Sequence, residues 1–321
     1  VQRIGIVVAA VSFIIATSAS AASAAEASES SEPRRERPVS IEYAPSKRSP
    51  TVVAHRGASG HAPENTLVAL DTAHELGAEA VEVDVQRTRD GVLVLVHDTT
   101  LERTTDVEDV FPDRSPYNVG DFTMAEIREL DAGSWFDSSF EGEEVPTFAE
   151  ALDRMEKLDL DLFLEVKSPE LYPGVEKEIA AEFGGRDGWL KDGSSRGTPR
   201  LVVQSFDWES VRRSKELMPS VPHALLGRVP ESRIPDFTWA QMINPNHTTI
   251  DSAYVERVHD AGLEIMPYTI NERSRMDAVL KWRVDGFITD FPEIGLKAVA
   301  AQREESRPTV RIVKPPLSLF R

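Results

Sequence analysis

The 321-residue chain contains no cysteine. That absence excludes disulfides, thiolate metal sites, thiol nucleophiles and a lipid-modified cysteine anchor, so stability must come from a packed core, with metal binding as a further source. Basic residues are scarce relative to acids. With 36 Lys and Arg against 54 Asp and Glu, the formal charge is −18, and the average field repels nucleic acid and anionic bilayers alike. A local cationic pocket can still hold a phosphate, and a bound divalent ion reverses the field where it sits. Long apolar runs are also lacking: the run at residues 4–16 falls short of the ~20 residues that span hydrocarbon, so no stable membrane anchor is expected.

That short run fits another pattern. It follows Arg3 and leads into the small residues Ser18 to Ala25, which offer A-x-A-like cleavage sites, so residues 1–25 read as a signal peptide and the expected location is extracellular or periplasmic. Residues 26–50 are rich in Ser, Glu, Arg and Pro without periodicity and read as a solvated linker. Residues 303–321, with five basic residues and three prolines, read as a C-terminal tail.

What is present is the balance of a folded protein, 40% hydrophobic and 28% charged. Between residues 51 and 302 short β-branched runs alternate with helical patterns. Strands are expected at 52–55, 80–85, 92–97, 162–166, 201–204, 224–226, 241–244, 265–269 and 286–289. Asp90-Gly91 is a hairpin signal that turns the third of these back against the second. The other eight are mostly separated by segments long enough for crossover helices, for example 65–76, 148–155, 174–183, 210–217, 252–261 and 272–281. Eight such units predict a closed (β/α)8 barrel, with residues 99–146 as an inserted segment over its active face.

The chemistry-bearing residues fall at strand ends. His55-Arg56-Gly57 closes the first strand with a titratable ring, a bidentate phosphate grip and a residue that permits a sharp turn; alone it is a weak signal. Glu82 and Asp84 share one strand face by period-2 geometry. Their mutual repulsion calls for a cation, the alternative being a solvent-facing strand. The hairpin brings His97 back beside them, and Glu165 with Lys167 ends the fourth strand, unless these two form a plain surface ion pair. Three carboxylates, Glu82, Asp84 and Glu165, offer the hard oxygens that Mg²⁺ or Ca²⁺ prefers. Two histidines, Arg56 and Lys167 around such an ion suit phosphodiester cleavage.

These residues carry a resemblance. His55-Arg56-Gly57, Pro63-Glu64-Asn65-Thr66, Glu82-Val83-Asp84-Val85, His97-Asp98, Leu101-x-Arg103-Thr104-Thr105, Glu165-Val166-Lys167 and Asp285-Gly286-Phe287-Ile288-Thr289-Asp290 together resemble the glycerophosphodiester phosphodiesterases, in order and over essentially residues 51–300. The resemblance implies a TIM-barrel enzyme that hydrolyses deacylated phospholipids to glycerol 3-phosphate and an alcohol. It implies His55 and His97 as the acid/base pair, Glu82, Asp84 and Glu165 as ligands of one divalent ion, Ca²⁺ or Mg²⁺, and Arg56 and Lys167 as phosphate contacts. Glu64 and Asn65 are grouped with the substrate site in a supporting role. Tyr268 stands where the family often has Trp and provides an aromatic wall for a small-molecule substrate. The nucleophile stays open between water and the neighbouring glycerol hydroxyl. Two alternatives stand beside this reading: phospholipase D-like cleavage of lysophospholipids or sphingophospholipids on the same barrel, and a non-catalytic phosphate-ester binder.

Overall fold

The computed structural model describes residues 49–190 and 198–305. The signal peptide expected at 1–25, nearly all of the linker and most of the tail lie outside the described residues. All nine expected strands form: β1 (Thr51–Ala54), β2 (Ala80–Arg87), β3 (Leu93–Leu95), β4 (Asp161–Val166), β5 (Leu201–Ser205), β6 (His223–Leu226), β7 (Met242–Asn244), β8 (Glu264–Ile265) and β9 (Gly286–Thr289). Eight of them run parallel in the order β8-β7-β6-β5-β4-β2-β1-β9, and β3 pairs only with β2. Backbone bonds from Asp285 N to Ile265 O (3.1 Å), Ile288 N to Pro267 O (3.0 Å) and Ile270 N to Ile288 O (2.9 Å) span the seam between β8 and β9. The result is an eight-stranded (β/α)8 barrel. β8 is shorter than the expected 265–269 because Pro267 has no N–H for the ladder.

The helices follow in chain order as α1 (Leu67–Glu75), α2 (Val107–Val110), α3 (Met124–Ile127), α4 (Phe148–Leu158), α5 (Val175–Glu182), α6 (Asp187–Leu190), α7 (Trp208–Leu217), α8 (Ser252–Asp260), α9 (Arg273–Lys281) and α10 (Pro292–Glu305). The first turn of α4 shows why the chain becomes helical there. Thr147 accepts from the Glu150 N–H while the Glu150 carboxylate takes the Thr147 N–H, which satisfies two of the four orphan donors at a helix start. Phe148, Ala151, Leu152 and Met155 then form one buried stripe against the sheet. Between β6 and β7 the crossover is a 3-10 segment, Glu231–Phe237, since Pro235 sits inside it. α10 runs to Glu305, three residues beyond the boundary expected at 302.

Side chains inside the barrel stack in layers. Val53, Ala80, Phe163, Val202, Ala224, Met242, Met266 and Ile288, from all eight barrel strands or their immediate extensions, form one buried apolar floor. A strand returns to the same face every two residues, so the next inward residue toward the C-terminal end belongs to a polar layer on seven of the eight strands, His55, Glu82, Glu165, Gln204, Asn244, Tyr268 and Asp290, while β6 places Leu226 there. The outward residues, such as Val81, Val83 and Val85, pack under the helices.

The β2–β3 hairpin forms as expected, in the register Val85↔Leu95, Gln86↔Val94 and Arg87↔Leu93. Its loop holds three residues, 89–91, rather than two, closed by Thr88 N to Val92 O at 2.9 Å and with Gly91 at φ 87°, the usual place for a left-handed residue in a three-residue loop. The inserted segment builds its own small core on β3, in which Val94 and Val96 meet Leu101, Val107, Val119, Phe122, Ile127 and Leu130.

Candidate active site

The site begins where β1 ends. Arg56 (φ 54°) and Gly57 (φ 80°) both turn left-handed, which frees the Arg56 N–H to donate to Glu82 Oε2 at 3.0 Å. A Cβ on Gly57 would lie 2.7 Å from the Ala69 backbone, so glycine is required both by the turn and by the close approach of α1. His55 faces the end of the neighbouring strand β9: its Nδ1 lies 2.6 Å from Asp290 Oδ1. Asp290 is held in turn by Ser59 Oγ (3.0 Å) and by Asn271 Nδ2 (2.6 Å on the other oxygen). Burial raises the Asp290 pKa, but these donors and the imidazole more than offset it, so the carboxyl stays below its ordinary value.

β2 and β4 bring the acids together. One carboxylate oxygen from each of Glu82, Asp84 and Glu165 lies within 4.8 Å of the others, and all three residues are buried. Burial first, and then the neighbouring acids, pushes Glu82 well up and Glu165 up to about 7. Asp84 goes the other way, because Arg56, Lys167 and His97 outweigh its burial. Three anions in one low-dielectric pocket are not stable together, so protons or a cation must compensate. Asp84 Oδ1 has no hydrogen-bond partner among the described residues; Lys167 Nζ stands 3.6 Å from it while donating to Glu165 Oε1 at 2.7 Å. An orphaned buried carboxylate oxygen within an all-oxygen donor set fits a hard divalent ion.

Asn65 (φ 59°) aims this cluster. Its amide donates to Asp84 Oδ2 (2.9 Å) and accepts from the Asp84 N–H (3.1 Å). Glu64 accepts from Arg56 Nη1 at 2.8 Å and from two nitrogens of Arg103 at 2.7 and 2.8 Å. Both residues, grouped above with the substrate site in a supporting role, have their polar ends against Asp84, Arg56 and Arg103.

His97 returns on the hairpin, where Val96 N donates to Asp84 O at 3.1 Å. Its Nδ1 lies 2.6 Å from Asp98 Oδ1. Arg103 Nε holds the other oxygen of Asp98 at 2.6 Å. Buried Gln86 pins the same turn by donating to Val96 O (2.8 Å) and Asp98 O (2.5 Å). Burial keeps His97 below the ordinary imidazole pKa, with Arg56 and Lys167 adding to the effect and Asp84 opposing it. Each histidine is thus fixed through Nδ1 by a carboxylate, and neither Nε2 has a hydrogen-bond partner among the described residues.

The mouth is aromatic on one side. Tyr268 and Phe206 meet edge to face at 6.0 Å, and Lys167 Nζ lies 5.7 Å from the Phe206 ring. Burial, then the charge of Glu165, pushes the Tyr268 hydroxyl up to about 12, so it remains a neutral donor. Asp290, Asn271, Gln86 and Arg103 have no assigned role of their own in the sequence, and the segment Gln204-Ser205-Phe206 reads there either as the wall opposite Tyr268 or as core packing. The available signal for Asp290 and Phe206 was register: each lies an even number of residues beyond a floor residue of its own strand, Ile288 and Val202.

Comparison with known proteins agrees with this geometry. Residues 55–294 match the glycerophosphoryl diester phosphodiesterase family. A glycerophosphodiester phosphodiesterase of Bacillus subtilis is 34% identical over 257 residues, covering 75% of this chain and 84% of that protein. One from Caldanaerobacter subterraneus is 36% identical over 246 residues, covering 75% and 94%. Among solved structures, an Oleispira antarctica phosphodiesterase in complex with the product sn-glycerol-3-phosphate superposes with a TM-score of 0.67 at 29% identity, covering 78% of this chain and 97% of that one. With three-quarters of its length matched, in the order the barrel requires, the chain belongs to the glycerophosphoryl diester phosphodiesterase family.

Proposed function

We propose that the chain hydrolyses glycerophosphodiesters to glycerol 3-phosphate and an alcohol, with His55 and His97 as the acid/base pair. The observation that carries this is the pairing of two carboxylate-held imidazoles, His55–Asp290 and His97–Asp98, around one buried triad of acids. Glu82, Asp84 and Glu165 would hold a divalent ion, Ca²⁺ or Mg²⁺, which when bound supplies Lewis-acid stabilisation to a phosphoryl oxygen. Arg56 and Lys167, both clamped by carboxylates on this face, would take the remaining phosphate charge and orient the diester. His97, whose pKa burial lowers, suits removal of a proton from the nucleophile. His55, oriented by Asp290 from the end of β9, would protonate the departing alcohol. Tyr268 and Phe206 would form the wall against the organic part of the substrate.

A panel assay tests this reading. Glycerophosphodiesters with several head groups should turn over, lose turnover after EDTA treatment and regain it with Mg²⁺ or Ca²⁺, and His55→Ala and His97→Ala should each lower kcat by about 100- to 10,000-fold. Binding without turnover in either metal would leave only a phosphate-ester binder. A second reading, cleavage of lysophospholipids, is favoured by one observation. Of the four large exposed hydrophobic residues among the described residues, Trp135, Leu171 and Phe206 (38%, 53% and 54% exposed) follow the C-terminal ends of β3, β4 and β5. Including lysophosphatidylcholine beside glycerophosphocholine decides between them. No helix among the described residues is long and apolar enough to cross a membrane, and export through the 1–25 segment is part of the same proposal.

A further inference from the structure

We propose that Arg103, contributed by the inserted segment, is a positioning residue that sets His97 and Arg56 together through the two carboxylates it bridges. The inference rests on the roles given to those two residues above. Its Nε donates to Asp98 Oδ2 at 2.6 Å, while Nη1 and Nη2 donate to the two oxygens of Glu64 at 2.8 and 2.7 Å. Each carboxylate is shared with a second residue. Asp98 Oδ1 meets His97 Nδ1 at 2.6 Å, and Glu64 Oε1 also accepts from Arg56 Nη1 at 2.8 Å. One planar guanidinium therefore fixes the far side of both carboxylates, and their near sides fix the imidazole and the phosphate-gripping arginine.

The arrangement differs from an ordinary surface ion pair. Exposed pairs contribute little because two long side chains must be ordered for one screened contact. Here Glu64 is only 10% exposed at its side chain, and Trp135 lies over the guanidinium at 5.9 Å, so Arg103 is held from the insertion side as well. Hydrogen bonds from Arg103 also help hold Asp98 at about 2, which keeps it an anion beside the imidazole. The inserted segment thereby reaches into the acid/base machinery instead of only shaping access to it.

The test is a set of kinetic variants. Arg103→Gln should lower kcat about 10- to 100-fold, as should Asp98→Asn, and raise KM several-fold, as should Glu64→Gln. Arg103→Lys keeps the charge and one tie to the barrel but cannot span both carboxylates, so it should remain folded and show the same two losses. Adding Arg103→Gln to Asp98→Asn should lower kcat no further, because both changes remove one support of His97. Turnover and KM within twofold of wild type for both Arg103 variants, or multiplicative effects in the double variant, would overturn the proposal. His97→Ala, assayed alongside, separates the two possible failures. Full activity there removes the role of His97 and this proposal with it, whereas an inactive His97→Ala beside an unaffected Arg103→Gln removes this proposal alone.

Discussion

Asp290 and Asn65 show how much of this site depends on residues that need not touch a substrate. An imidazole with two nitrogens can rotate and change tautomer, and a carboxylate on Nδ1 prevents both. Asp290 does this for His55 while Ser59 and Asn271 prevent its own rotation. Asp290→Asn keeps the shape but replaces the anion, so kcat should fall by about 100- to 10,000-fold with KM within a few-fold of wild type. Steady-state kinetics with the preferred diester check this; a loss confined to KM would show that Asp290 serves binding instead. Asn65 plays the corresponding part for Asp84, using both ends of its amide on one residue, and its left-handed backbone is one that asparagine tolerates better than most side chains.

At the scale of elements, the β2–β3 hairpin is the piece on which the site turns, because β3 leads directly into His97 and supports the insertion on its outer side. Val94 and Val96 pack into the insertion's core, whereas Leu93 and Leu95 pack into the barrel's. Phe122 is fully buried in the former, and Phe122→Ala should cost about 3–5 kcal/mol locally. Hydrogen exchange should then show faster opening across residues 99–146 than in β4 and β5. Uniform loss of protection over the whole chain would mean that the insertion and the barrel open as one unit. The strands themselves were legible in the sequence, since β-branched runs at even spacing announce a sheet and Asp90-Gly91 announces the one reversal. What periodicity could not show was the 3-10 crossover at Pro235 or the shortening of β8 at Pro267, where a proline decides the outcome locally. Nor could it pair His55 with Asp290. Those residues are 235 apart in sequence and meet only because the barrel closes. The acids and histidines were readable because they sit on inward register at strand ends; Arg103 and Glu64 were not assigned to each other because they lie on loops, where no period fixes direction.

For the whole molecule the buried acids couple stability to pH and to metal. Glu165 holds its proton up to about 7 in the folded state against an ordinary 4.5, and Glu82 shifts the same way. Between those values these two acids keep protons in the folded chain that they release on unfolding, so their contribution to stability without metal falls as pH rises from about 4.5 through about 7. A divalent ion competes with those protons. It should therefore raise Tm more at pH 8 than at pH 5.5; at a hundredfold excess over Kd the gain is about 2.7 kcal/mol, or roughly 5–10 °C for a domain of this size. Thermal shifts measured with and without Mg²⁺ or Ca²⁺ at the two pH values test it, and equal shifts would show that the acids do not bind the ion.

The apolar floor of Val53, Phe163, Met242 and Ile288 makes the barrel a dead end. Whatever is consumed there arrives by the same doorway through which the remains must leave, so traffic is one at a time. The shared phosphate makes a lingering fragment and a fresh molecule rivals for a single berth. A chain that turned over quickly would then owe its pace to how readily that berth is vacated as much as to how fast the bond is broken.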